Sequence, residues 1–194
     1  MEMPLIFFII AIAFAATIFR STFGFGEALI AVPLLSLFLP VETAVPLAVL
    51  MSILVALVVL IHDHSKVYFQ SAKWLILFAA MGIPFGILIL SYGNEIVIKI
   101  ILGTLIILYA LYALLAKTTF TLTKDNKWWM FICGFLSGVF GGAYGVNGPP
   151  LVIYGNLRQW DAQYFRATLQ AYFFPAGLLS LVGYMSNGLI DQQS

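Results

Sequence analysis

The stretch that decides the fold is residues 140–151, which read FGGAYGVNGPPL. It lies within residues 128–157, a run without any charged side chain. A membrane-crossing helix needs roughly 20 apolar residues, so this run is too long for one helix. Glycine frees the backbone and proline removes an amide donor, so the helix should break at GVNGPP. We therefore predict two membrane segments here, residues 128–144 and the short Gly148–Leu157.

The composition of the whole chain places this break in a membrane protein. Hydrophobic residues make up 62% of the 194 residues and charged residues 9%, with a mean hydropathy of +1.04. Soluble domains have about 25% charged residues. The apolar residues form long runs rather than an alternating pattern, which favours helices over a β-barrel. We predict an all-α integral membrane protein, a polytopic helical bundle with broken and short helices.

The same composition excludes several other classes. The formal net charge is +1 and no basic tract is present, so nucleic acid is not expected as a partner. Cys133, the single cysteine, excludes an intrachain disulfide and a cysteine metal cluster. His62 and His64 lie two residues apart in a charged stretch and are interpreted as loop residues. Hydrolase and nucleotide-binding motifs are absent, so we predict no enzyme and no cofactor.

Eight membrane segments, two of them short, can be placed along the chain. The segment 28–41 is too short to span. Glu2 and the absence of basic residues near it indicate that the first segment is retained rather than a signal peptide. The remaining predicted segments are 3–19, 43–61, 74–94, 100–116 and 167–190.

The charges orient these segments. If the N-terminus lies outside and the segments alternate, eight of the nine basic residues face inward, as the positive-inside rule requires. The inner residues are Arg20, Lys66, Lys73, Lys117, Lys124, Lys127, Arg158 and Arg166. The outer ones are Lys99, Glu2, Glu42, Glu95 and Asp191. This pattern predicts a multi-pass protein of the cell (inner) membrane, with the lipid bilayer around it.

An internal repeat links two stretches of the chain. A shift of 121 residues lays FAATIF (14–19) over FLSGVF (135–140), and FGFG (23–26) over YGVN (144–147). Five segments precede the second copy, so it enters the membrane in the opposite sense, as in many secondary transporters. We divide the chain into a first repeat (1–116), a cytoplasmic linker loop (117–127) and an incomplete second repeat (128–194). Truncation, a partner or second copy that supplies the missing segments, or tolerance of the loss would each explain the shortfall.

The two breaks are the candidate binding site. Irregular backbone at membrane depth is tolerated where it lines a cavity, and helix N-termini after such breaks favour anions. The predicted substrate-binding residues are Gly24, Phe25, Gly26, Glu27, Tyr144, Gly145, Val146, Asn147 and Gly148. No catalytic or metal-binding residue is predicted. Two further glycine sets at four-residue spacing, Gly82 with Gly86 and Gly134 with Gly138 and Gly142, are interpreted as helix-contact faces.

At these residues the chain resembles the TauE/SafE family of sulfite and organosulfonate exporters. The family has a Gly-rich break in each half, followed by a short apolar segment. Here the breaks read GFGEA (24–28), then VPLL (32–35), and GVNGP (145–149), then LV (151–152). The resemblance implies a secondary transporter, an exporter of small anions. Glu27, Asn147 and Pro149 depart from the family pattern.

Three questions stay open at this stage. Glu27 is either an acid that favours a helix N-terminus or a proton-coupling or selectivity group. Arg20, Arg158 and Arg166 either follow the positive-inside rule or gather anions in a vestibule. The alternative to a transporter is a non-transporting accessory or truncated membrane subunit.

Overall fold

The computed structural model describes residues 3–115 and 121–190, with side chains from residue 6 onward. The predictions for Glu2, Lys117, Asp191 and the first part of the linker concern residues outside the described ranges. The described chain is helical without strands, which confirms the all-α class. The helices are α1 (Met3–Phe23), α2 (Glu27–Leu35), α3 (Val41–Asp63), α4 (Phe69–Tyr92), α5 (Glu95–Leu115), α6 (Lys127–Tyr144), α7 (Gly148–Leu157) and α8 (Ala162–Ser186), with a short 3₁₀ turn at His64–Lys66.

Among the described residues, four stretches are long and apolar enough to cross a membrane: Ile6–Phe23, Val41–Lys66, Phe69–Tyr92 and Glu95–Leu115. Helix α8 is as long as these but more polar, because its buried face carries Thr168, Gln170 and Ser180. Only four of the eight predicted segments therefore qualify as spans by length and composition. The others need partner helices around their polar or glycine-rich faces.

Helices α1 and α2 form a hairpin whose tip lies inside the protein. The ring of Phe8, near the start of α1, stacks on that of Phe38, just beyond α2, at 5.7 Å between centroids. The chain therefore returns to the side from which it entered. Ser36 ends α2 far earlier than the predicted boundary at residue 41, because a turn at 36–40 leads directly into α3.

Helices α6 and α7 form a second hairpin that enters from the opposite end. The Leu122 amide donates to the Leu157 carbonyl (2.7 Å), and Arg158 pairs with Asp125 (2.9 Å). The start of α6 and the end of α7 therefore lie together. The predicted bounds of this hairpin agree with the structure to within one residue.

Glycines bring α4 and α6 into close contact. A Cβ at Gly138 would lie 2.8 Å from Cα of Ala79, and one at Gly142 would lie 3.1 Å from the Ile87 nitrogen. Gly82 and Gly86 face the α6 backbone in the same way. The prediction that these glycines form helix-contact faces is confirmed, and close approach of backbones is their usual role in membrane helices.

One end of the bundle gathers the basic loops. Arg166 pairs with Asp63 (3.0 Å), Ser71 donates to Asp125 (2.7 Å), and Lys127 lies over the ring of Trp74. Lys99 lies elsewhere, at the end marked by Glu95. Arg20 belongs to neither end. The prediction that it follows the first segment in an inner loop is wrong, because α1 continues to Phe23 and Arg20 is buried within it.

Candidate functional site

The tips of the two hairpins meet at a small cavity near mid-depth. The first tip contributes Phe25 and Gly26, and the second contributes Gly145, Val146, Asn147 and Gly148. Ala28 and Leu29 of α2, Arg20 of α1, Ser52 of α3 and Phe173 of α8 complete the lining. Ser52 lies at the middle of α3, which fixes the depth of the cavity.

Six of the nine sequence-predicted site residues line this cavity, and three do not. Tyr144 is 3% exposed and packs in the core. Gly24 lies behind the first tip, where its carbonyl accepts from Nε2 of Gln170 (2.7 Å). Glu27 is 2% exposed and points to Arg20.

Left-handed glycines build both tips. Gly24, Gly26 and Gly145 have φ values of +82°, +97° and +66°, a region that side chains other than glycine rarely enter. The Gly145 amide donates to the Gly141 carbonyl (2.9 Å), and the Val146 amide donates to that of Phe140 (3.2 Å). The Gly145 bond, with Gly145 left-handed, is that of an αL C-cap, which ends α6 abruptly and turns the chain into the cavity.

A side-chain bond fixes the second tip. Ser137 of α6 donates to the carbonyl of Asn147 (2.6 Å), and its hydroxyl also bonds that of Tyr172 (2.8 Å). Both Ser137 and Tyr172 are fully or almost fully buried. The backbone of the tip is therefore tied to the side chains of α6 and α8.

Arg20 is the central charge of the site. Its guanidinium donates to Oε2 of Glu27, to Oγ of Ser52 and to Oε1 of Gln170, each at 2.5 Å. Its Cζ lies 5.0 Å from the ring centroid of Phe173. One side chain thus joins α1, α2, α3 and α8, and a buried charge of this kind is tolerated only when it is paired and hydrogen-bonded.

The Arg20 cluster leaves two polar atoms without partners. Nε of Arg20 and Oε1 of Glu27 are buried and lack a hydrogen bond among the described residues. Such unsatisfied groups are rare in folded proteins and call for a specific cause. Arg20, which lines the cavity, therefore keeps one buried N–H donor without an acceptor.

The helix N-termini contribute less to anion binding than the sequence suggested. Helix α7 starts with Pro149 and Pro150 in its first turn, and neither has an amide N–H. Helix α2 starts at Glu27, whose carboxylate already offsets the positive end of the helix dipole. Arg20 is therefore the positively charged side chain among the described residues that line this cavity, and it is paired with Glu27.

The cavity between the tips is narrow in this conformation. Its volume is about 20 Å³, which is enough for one water and too small for sulfite. A second cavity of about 250 Å³ lies on the other side of Arg20, toward the basic end. Arg20 and Gln170 border it together with Asp63 and Arg166. Arg20 therefore lies between a narrow central cavity and a larger one on the side of the basic end.

A larger cavity lies elsewhere and has a different character. It is a groove of about 550 Å³ between α5, α6 and α7, and none of the residues that line it is charged. An apolar groove of this kind suits lipid or another helix rather than a small anion. The Arg20 cavities remain the candidate site.

Comparison with known families now bears on these two hairpins. A family model described as Sulfite exporter TauE/SafE matches residues 9–194, which include both hairpins and α8. The chain belongs to the TauE/SafE family. This membership implies a membrane transporter of the sulfite or organosulfonate type. Comparisons with curated proteins and with solved structures find no match.

Within this TauE/SafE protein, sequence reasoning missed the residue at the centre of the site. Arg20 was counted as a loop charge, and Ser52 was not singled out. The available signal was charge complementarity: Arg20 and Glu27 are the only charged residues between residues 3 and 41, and charges at membrane depth are expected to pair.

Proposed function

We propose that the protein is a secondary transporter, an exporter of small anions such as sulfite or organosulfonates. It works by alternating access around the two Gly-rich breaks, in the inner membrane, with its N-terminus outside. The observation that carries the proposal is the meeting of two hairpin tips beside the buried guanidinium of Arg20. Arginine presents several fixed N–H donors and suits oxyanion recognition.

The substrate-binding role of the tips is supported by their geometry. Phe25, Gly26, Gly145, Val146, Asn147 and Gly148 surround the central cavity, and Glu27 holds Arg20 beside it. Glycine lets an anion approach the backbone closely. Gly24 and Tyr144 support the tips from behind, so we assign them a positioning role rather than direct contact.

Transport requires the central cavity to open. Since it holds about 20 Å³, a sulfonate headgroup can enter only when the tips move apart or when Arg20 shifts toward the 250 Å³ cavity. In alternating access one such movement opens the site to one side and closes it to the other. The two hairpins, which enter from opposite ends, are suited to this exchange.

The test is transport by purified protein in liposomes. Vesicles loaded with unlabelled sulfite should accumulate labelled sulfite by exchange. Gly145→Ala should abolish the exchange while the protein stays folded, because alanine is strained at φ +66° and its Cβ would press on Val49 at 3.2 Å.

The matched control is Gly188→Ala. Gly188 also has a left-handed φ, +72°, but a Cβ there meets no atom within 4 Å. This variant carries the same backbone strain away from the site and should transport normally. Normal exchange by Gly145→Ala would place the site elsewhere. Absence of exchange and of anion binding in the parent protein would favour an accessory subunit.

A further inference from the structure

The Arg20–Glu27 pair sets a charge balance that any bound anion must change. Arg20 carries one positive charge and Glu27 one negative charge, and both side chains are 2% exposed. The pair is neutral. An anion bound to Arg20 would leave the cluster with an uncompensated negative charge deep in the protein, which is strongly unfavourable.

The contacts of Glu27 indicate how this charge could be removed. Oε2 accepts from Arg20 at 2.5 Å, whereas Oε1 is buried without a hydrogen bond among the described residues. Nε of Arg20 is likewise buried without a hydrogen-bond acceptor among the described residues. The cluster thus contains one carboxylate oxygen that can take a proton and one N–H donor that can take an anion.

We infer that Glu27 is a resident counter-anion that takes up one proton when the substrate anion binds Arg20. The proton comes from water and forms an O–H bond on the carboxyl group. The anion then accepts from Nε of Arg20 and from the Nη1 that the carboxylate gives up, and the cluster returns to neutrality. This inference rests on the proposed function and names its coupling ion, because anion and proton then cross as a pair.

Other titratable groups near Arg20 are fewer and already engaged. On the side of the larger cavity, α3 contributes His62 and Asp63, and α8 contributes Arg166, which pairs with Asp63 at 3.0 Å. Helix α5 contributes Tyr109, whose ring lies 6.3 Å from that of Phe25. The second tip, residues 145–148, has no charged side chain. Glu27 is the carboxylate in direct contact with Arg20.

The experiment measures protons taken up for each anion bound. Purified protein in detergent is titrated with methanesulfonate, which stays a monoanion throughout the working pH range, so that any proton uptake belongs to the protein. Calorimetry in buffers of different ionisation enthalpy gives the number of protons. We expect about one, and a dissociation constant that rises about tenfold per pH unit wherever Glu27 is ionised in the free protein.

Glu27→Gln keeps the shape of the side chain and removes its proton site. We expect this variant to bind methanesulfonate at least as tightly, without proton uptake and without pH dependence. Glu95→Gln is the matched control, since Glu95 is a half-exposed carboxylate paired with Lys99 at the far end of the bundle. It should take up one proton like the parent.

The outcomes separate this inference from the proposed function. Binding by the parent without proton uptake overturns the inference and leaves the function standing. Proton uptake that persists in Glu27→Gln also overturns it, and points to His62 or Asp63. Absence of methanesulfonate and sulfite binding in the parent overturns the proposed function and the inference together. If Glu27→Gln does not fold, the parent titration still decides the proton count.

Discussion

The two hairpins share a shape and differ in chemistry. Each has a long helix, a tip with a left-handed glycine and a short return helix. Under the 121-residue shift, Arg20 corresponds to Gly141 and Glu27 to Gly148. The first hairpin therefore carries a buried ion pair where the second has two glycines. If the proposed function is right, one half supplies the charge that recognises the substrate, and the other half supplies a neutral wall.

The second hairpin also packs more tightly against the rest of the protein than the first. Helix α6 lies against α4 through glycines, whereas α1 exposes Phe7, Phe14 and Ile18. Only 11% of the spanning window of α1 is buried, and its closest partner is α2. We expect the second hairpin to be the fixed element and the first to be the one that moves with Arg20.

The largest effect should come from breaking the ion pair of the first hairpin. Arg20→Met leaves the Glu27 carboxylate buried without its partner and should cost about 3–5 kcal/mol of unfolding free energy. It should also abolish methanesulfonate binding. Denaturant unfolding in detergent and calorimetry measure the two effects.

The double variant Arg20→Met with Glu27→Gln separates stability from binding. Removal of both charges should restore most of the stability, because neither charge is then stranded, while binding stays lost. Lys99→Met, at a half-exposed pair, should change stability by no more than about 0.5 kcal/mol. Parent-like binding by Arg20→Met would show that the first hairpin does not carry the anion site.

The next effect concerns the fixed hairpin. Gly138→Ala places a methyl group 2.8 Å from Cα of Ala79 and should cost about 1–3 kcal/mol by overpacking α4 against α6. Gly103→Ala in α5 meets no atom within 4 Å, and should be neutral or stabilise by about 1 kcal/mol through helix propensity. Chemical unfolding compares the two. Equal stability would mean that the α4–α6 contact is loose.

A matched pair of phenylalanines tests the packing difference directly. Phe14 and Phe135 correspond under the repeat shift, but Phe14 is 68% exposed and Phe135 packs beside Phe85 and Phe131. Phe135→Ala should cost about 1–2 kcal/mol and Phe14→Ala less than about 0.5 kcal/mol. Thermal unfolding measures both. A larger loss for Phe14→Ala would show that an unseen partner covers α1.

The smallest effect concerns the hydrogen bond from Ser137 to the second tip. Ser137→Ala removes the hydrogen bond to the Asn147 carbonyl and should cost about 0.5–1.5 kcal/mol. Because the tip lines the cavity, methanesulfonate affinity should fall with it. Ser65→Ala, in the exposed turn after α3, is the control and should change neither quantity. Unchanged methanesulfonate affinity in Ser137→Ala would show that this hydrogen bond stabilises the fold without affecting binding.

The sequence predicted the second hairpin better than the first. The break at residues 145–150 follows from local chemistry, since two glycines and two adjacent prolines within six residues free the backbone and remove amide donors together, and both flanking helices match the prediction. The glycine faces of α4 and α6 follow from spacing alone. In the first hairpin, the break after α1 begins at Gly24, which is also a local signal. The main feature of this hairpin, the buried Arg20, has no local signal.

Arg20 was misplaced because its role depends on distant partners. Ser52 and Gln170 lie 32 and 150 residues away in sequence, and no local pattern brings them to one point. The positive-inside rule counts each arginine as a loop residue, which holds for Arg158 and fails for a buried, paired one. The small volume of the central cavity likewise depends on how the two tips fit together.

The most direct test is to locate a bound anion. Crystals of the protein grown with 2-bromoethanesulfonate would reveal the bromine by its anomalous scattering, and with it the position of the sulfonate. We predict a peak between the two tips, with the sulfonate on the Arg20 guanidinium and Glu27 displaced from it. Bromine found only beside surface arginines such as Arg158, or absent from the tips at saturating concentration, would contradict an anion site at the meeting point of the hairpins.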